Sequence, residues 1–211
     1  MTDLRPDEIE KRSMEIIRQE LEGMGVSVEP ENEPVLLRAI HTTADFDYVK
    51  NLYFSDGAVR FMKEAIKKGV SIVTDTNMAL AGINKKKLEA LGSHVYCYMA
   101  DEDIAGRSKE TGRTRASLSM DKAAALEGDV IFAIGNAPTA LIRLHELTEQ
   151  GVLTPRGIIG VPVGFVNVVE AKELIMDLDC PLIVARGRKG GSTVAAAICN
   201  ALIYDIREDE A

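Results

Sequence analysis

Beyond residue 69 the chain alternates between two patterns of apolar positions. Short apolar runs at 70–74, 94–99, 130–134, 157–163 and 182–185 are rich in Val and Ile and bounded by Gly, Asp, Asn or Pro. Most are unbroken rather than alternating, which predicts strands covered on both faces of a parallel sheet. Between and after them, 85–91, 120–126, 139–150, 167–176 and 192–204 carry helical spacing. The first part of the chain reads as helices alone. One is expected over 6–24, opened by Pro6 with Asp7 and Glu8 and stopped at Gly25. Its apolar residues Ile9, Ile16, Ile17, Leu21 and Met24 place Ser13 on the inward face. A second starts near Pro34 and carries Val35, Leu36, Leu37 and Ile40. A third is expected over 56–68, capped by Ser55 and ended by Gly69. The expected fold is a three-layer, doubly wound α/β domain, with N-terminal helices and a mostly parallel central sheet of about five strands. No repeat, low-complexity tract or linker interrupts it, so 1–211 is expected to be one domain.

Composition narrows the partners. Asp and Glu outnumber Lys and Arg by 33 to 25, for a net charge of −8, which argues against a nucleic-acid partner. There is no Trp, and five Phe with five Tyr leave little for a stacked aromatic face. The longest apolar stretch, 157–169, is broken by Pro162 and Asn167 and falls short of the roughly 20 residues of a membrane span. Cys97, Cys180 and Cys199 form no CxxC pair, and no basic-then-apolar segment opens the chain. Reduced thiols and a cytoplasmic location are therefore expected, with no membrane partner.

The segments just past the predicted strands carry the candidate chemistry. They are Thr74 to Met78 with Thr76, Gly135 to Thr139 with Asn136, Pro138 and Thr139, Pro162 to Phe165 with Gly164, and Arg186 to Ser192 with Arg188, Gly190 and Gly191. Ligands of doubly wound sheets gather at this edge, and helix N-termini there suit carboxylates or phosphates. Any one of them is also what an efficient strand-to-helix turn looks like; four on one edge point to a site. The 187–192 glycines lack both the GxxxxGK[ST] and the GxGxxG spacing, so neither ATP nor NAD is implied. The 106–115 segment, with Arg107, Lys109, Arg113 and Arg115, reads either as a solvated loop or as an anion-gripping flap.

Three histidines are available. His145 falls on the wet face of a helix and His94 precedes a strand. His41 shares a helix face with Arg38 and Thr42, since residues three and four apart are neighbours. A lone His is commonly structural, but histidine's ordinary titration near neutrality makes His41 the candidate for acid–base work. No cluster of His, Cys and carboxylate suggests zinc or another metal.

The motifs Arg12-Ser13, RAIHTTADFDY (38–48), AIGNAPTAL (133–141), GVPVGFVNVVEAKE (160–173) and ARGRKGGS (185–192) together resemble the precorrin-8X methylmutase and cobalt-precorrin-8 methylmutase family of cobalamin biosynthesis. The resemblance runs in order from about residue 6 to residue 204. It implies an isomerase that moves a methyl group from ring carbon eleven to ring carbon twelve of a corrin precursor, giving hydrogenobyrinic or cobyrinic acid. It also implies no added cofactor and a homodimer. It places the catalytic histidine on His41, a substrate-contacting serine on Ser13 and substrate arginines on Arg38 and Arg115. Two other readings stay open on the sequence. One is a corrinoid carrier of the same pathway that holds its ligand without converting it. The other is an unrelated α/β enzyme for a small carboxylated or phosphorylated metabolite.

Overall fold

The strand order of the sheet decides where a ligand can sit. The computed structural model describes residues 5–206, and among them six strands form one sheet. They are β1 (Leu52–Phe54), β2 (Ser71–Thr74), β3 (His94–Tyr96), β4 (Val130–Ile134), β5 (Gly157–Gly160) and β6 (Leu182–Ala185). Their order is β1-β6-β5-β4-β2-β3, with every neighbouring pair parallel except β1–β6. β4, β5 and β6 are buried along their whole length, which is why their sequences show no alternation.

Helices cover both faces. On one lie α1 (Pro6–Gly23), α2 (Glu33–Thr43), α4 (Ala58–Lys67), α5 (Asn77–Gly82), α6 (Lys85–Ala90) and α11 (Ser192–Tyr204). α2 and α11 fill this core with Leu36, Ile40, Ile198 and Leu202. On the other face α8 (Arg115–Ala123), α9 (Pro138–Glu149) and α10 (Val168–Ile175) pack Met120, Leu141, Leu144 and Ile175 against Phe132 and Val184. The short α3 (Tyr48–Asn51) leads into β1. No helix among the described residues is long and apolar enough to cross a membrane.

Four features differ from the sequence reading. The sheet has a sixth strand: β1 pairs antiparallel with β6 through only three residues, too few to register as a period. Ser55 does not cap α4. Its hydroxyl accepts the Leu182 N–H at 2.8 Å and its own N–H donates to the Leu182 carbonyl at 2.9 Å, so it prolongs the β1–β6 pairing and the N-cap falls to Gly57. The 106–115 segment is not a loop: α7 (Glu102–Thr111) occupies most of it and α8 starts at Arg115. Along α1, Ile9, Ile16 and Met24 are exposed, while Met14, Ile17 and Leu21 face the core. Ser13 is half-buried beside Met14. At the start of α1, Glu8 accepts the Arg5 N–H at 2.9 Å, and the side chains of Pro6 and Asp7 lie outside the described residues.

Candidate active site

The chain leaves β2 towards β3 in one direction, while β4 lies on β2's other side. A crevice therefore opens where the carboxyl ends of β2 and β4 diverge, the position at which open α/β sheets bind ligands. Asp75, the first residue past β2, spans it. One carboxylate oxygen accepts the Gly135 N–H at 2.8 Å, and the other accepts those of Asn136 and Ala137 at 2.8 and 2.6 Å. Asp75 is fully buried with no cation beside it. Burial pushes its carboxyl above the usual 3.8, outweighing the three N–H dipoles that favour the anion.

Because the folded carboxyl titrates above the unfolded one, the stability this group contributes is fully present below about pH 3.8 and is lost as pH rises through the folded value. Asp75→Asn is expected to flatten that part of the stability–pH profile. Near neutrality it should destabilise by about 1–3 kcal/mol, since its amide NH2 must face one of the three N–H donors. Urea unfolding across pH checks both.

The other loops close around this clasp. Thr76 caps α5 by accepting the Ala79 N–H at 3.1 Å, and its hydroxyl lies 2.8 Å from that of Ser192 at the start of α11. Gly135 touches the same turn so closely that an added Cβ would stand 2.6 Å from the Ser192 Cα. Asn136 is exposed beyond it, Pro138 opens α9, and the Thr139 hydroxyl meets that of Thr114 at 2.8 Å. On the β5 side the Gly191 N–H donates to the Val161 carbonyl at 2.8 Å, and the Gly164 N–H to the Arg188 carbonyl at 3.2 Å. Phe165 and Val166 stand 82% and 77% exposed above this junction. The Arg188 guanidinium lies 5.4 Å from the Phe165 ring centre. Large apolar groups held outward by a fixed loop suit an extended, partly apolar ligand.

α2 brings up the acid–base candidate. His41 is exposed in its last turn, and Ala44 ends the helix in the left-handed conformation, φ 53°. Asp45 and Asp47 then both accept from the Lys189 ammonium at 2.6 Å, tying the end of the His41 helix to the arginine–glycine loop. Arg38 and Thr42 line a groove of about 320 Å³ with Met78, Thr193 and Tyr204. Within it Arg38 is paired to Glu10 at 2.7 Å.

Not every expected residue joins this arrangement. Arg186 is held by Glu173 through two hydrogen bonds of 3.0 Å. The Ser13 hydroxyl donates to the Ile9 carbonyl at 2.9 Å, one turn from Glu10. Arg115 is exposed at the start of α8, and among the described residues no carboxylate pairs with its guanidinium. His145 is half-buried in α9 and His94 exposed at the edge strand. Among the described residues no three His, Cys, Asp or Glu side chains come together as metal ligands. Adjoining hollows around Phe61 and Cys180 lie at the opposite, amino-terminal edge of the sheet, away from all of these loops.

Sequence reasoning passes over two residues that matter here, Asp75 and Lys172. Lys172 is fully buried on α10, its ammonium donating to the Gly187 and Lys189 carbonyls at 2.8 Å each. Asp75 had one usable signal, a carboxylate directly after an apolar strand. Lys172 sits in a helix of mixed character and had none.

Comparison with known proteins agrees along almost the whole chain. Residues 8–205 match the family described as Precorrin-8X methylmutase. The cobalt-precorrin-8 methylmutase of Salmonella typhimurium is 45% identical over 180 residues, covering 85% of this chain and 84% of that protein. The precorrin-8X methylmutase of Pseudomonas aeruginosa is 36% identical over 197 residues, covering 92% and 93%. A crystal structure of a precorrin-8x methyl mutase from Thermus thermophilus superposes with a TM-score of 0.83 at 39% identity, covering 93% of this chain and 96% of that one.

Proposed function

The chain belongs to the precorrin-8X methylmutase family and is an isomerase that catalyses methyl migration; on that premise we propose that it moves the methyl group from ring carbon eleven to ring carbon twelve of precorrin-8X or cobalt-precorrin-8, with His41 as general acid. The product is then hydrogenobyrinic or cobyrinic acid, and any cobalt belongs to the substrate. The observation that carries the role of His41 is its position. It is exposed in the last turn of α2, and the segment after it is tied by Asp45 and Asp47 to the loop that presents Arg188.

The reaction is a 1,5-sigmatropic shift, in which the bond to carbon eleven breaks as the bond to carbon twelve forms. His41 gives a proton to the conjugated ring and makes it a better electron sink. The proton returns once the methyl has moved, so nothing is consumed and no added cofactor is needed. The macrocycle carries several carboxylates. Arg188, Arg115 and the N–H groups at the start of α11 suit them, at about 1.5–3 kcal/mol per charge-assisted bond before solvation losses. Ser13, Arg38 and Thr42 contact the substrate on the His41 side, and two copies of the chain associate. These contacts hold the ring in the reactive conformation.

Purified protein incubated with the corrin precursor is expected to shift the visible bands as the methyl moves. Tight binding with an unchanged spectrum would identify a carrier instead and overturn the enzymatic reading.

A further inference from the structure

Lys172 is a buried ammonium with no carboxylate. Its side chain is fully covered, and its two hydrogen bonds both go to carbonyls, those of Gly187 and Lys189. Removing an ammonium from water without a counter-ion is costly. A methionine of similar length would fill the same space without that cost, so the charge has to be accounted for by what it holds.

What it holds is the backbone on either side of Arg188. The Arg188 carbonyl is taken from the opposite side by the Gly164 N–H at 3.2 Å. Three successive carbonyls, at 187, 188 and 189, are therefore pinned, and the Arg188 side chain is left to project outward over Phe165. The other arginines nearby are neutralised: Arg38 by Glu10 and Arg186 by Glu173. Arg188 is exposed, and its guanidinium lies over an aromatic ring rather than against an acid. It is the guanidinium of this loop that can accept a new carboxylate without first giving one up.

Resting on the corrinoid reading above, we propose that Arg188 selects a substrate carboxylate and that Lys172 is its positioning residue, acting through the two carbonyls that bracket it. Lys172 touches no substrate. It fixes where the Arg188 guanidinium stands, and because it also holds the Lys189 carbonyl it steadies the loop that reaches Asp45 and Asp47 below His41.

A double-mutant cycle on cobyrinic acid binding tests this. Arg188→Met is expected to weaken binding by about 10- to 150-fold, the equivalent of one charge-assisted bond. Lys172→Met should lose most of the same amount in the Arg188 background and less than about threefold in the Arg188→Met background, because a positioning residue has no effect once the group it positions is gone. In turnover the loss should appear in KM more than in kcat. Additive losses, or wild-type affinity for Lys172→Met, would overturn the proposal. Should Lys172→Met fail to fold, Lys172→Gln keeps one donor and is expected to give an intermediate, still non-additive loss. A wild-type chain that neither binds nor converts a corrinoid would overturn the functional reading instead. The brace itself is then read without ligand: exchange of the Gly164 N–H should quicken in Lys172→Met and stay unchanged in Arg188→Met, and the absence of that difference overturns it.

Discussion

His41→Ala is expected to lower turnover by about 10²–10⁴-fold while leaving corrinoid affinity within a fewfold of wild type. That loss corresponds to roughly 3–5.5 kcal/mol of transition-state stabilisation. It should fall on kcat, with KM little changed, because a proton given only during migration stabilises the transition state and not the bound ground state. The fold should not mask the result. His41 is exposed at the end of α2, whereas the stability of that helix lies in the buried Val35, Leu36, Leu37 and Ile40. Thermal unfolding of the variant should therefore match wild type within a degree or two, surface changes away from such features being worth about ±0.5 kcal/mol. His41→Gln, which keeps a hydrogen-bond donor but no titratable nitrogen, should lose nearly as much as His41→Ala. Single-turnover spectra of the bound pigment are the measurement. Conversion by either variant at near wild-type rate would remove His41 from the mechanism.

The parts of this molecule that could be read from sequence are those fixed by local pattern. β4, β5 and β6 are buried on both faces, so continuous apolar runs mark them, and the runs at β4 and β6 have the observed bounds. The strand-end loops are equally visible, because the turn into each following helix needs Gly, Asn or Pro. The misses share a cause. β1 has three residues and pairs with a strand 130 positions away. α7 has Ile104 as its only buried residue, so its polar surface imitates a loop. Arg186 reads like Arg188 until the fold brings Glu173, 13 residues earlier, against it. Asp75 and Lys172 look like ordinary solvated charges, and only the tertiary partners, 60 and 15 residues away, turn them into clasps. Spacing identified which loops converge, whereas the pairing of charges within them depends on contacts that spacing does not record.

That convergence gives the second large effect, at Gly190. Its backbone is at φ +156°, and an added Cβ would collide with the Val161 carbonyl oxygen and stand 2.9 Å from that of Pro162. Neither oxygen can yield cheaply. The Val161 carbonyl accepts the Gly191 N–H, the Val161 N–H donates to the Ile134 carbonyl at 2.8 Å, and both residues are buried at the end of β5. Gly190→Ala must therefore lift the whole 186–192 loop off the sheet edge. Overpacking of this kind costs about 1–3 kcal/mol, and each hydrogen bond lost with it about 0.5–1.5 kcal/mol. For a chain of 211 residues, a total near 3 kcal/mol lowers Tm by about 6–12 °C. Binding should suffer more than folding, since the lifted loop carries Arg188 and Lys189 away together. At least about a hundredfold loss of cobyrinic acid affinity is expected, the sum of one charge-assisted bond and the ordering that the loop no longer supplies. Gly187→Ala is the control. Gly187 is also at positive φ, +74°, but an added Cβ there meets nothing within 4 Å, so only the backbone penalty of about 1–2 kcal/mol remains. Differential scanning calorimetry and corrinoid titration of the two variants separate collision from conformation. Equal losses in both would mean that the close seat of Gly190 on β5 is not what holds the loop.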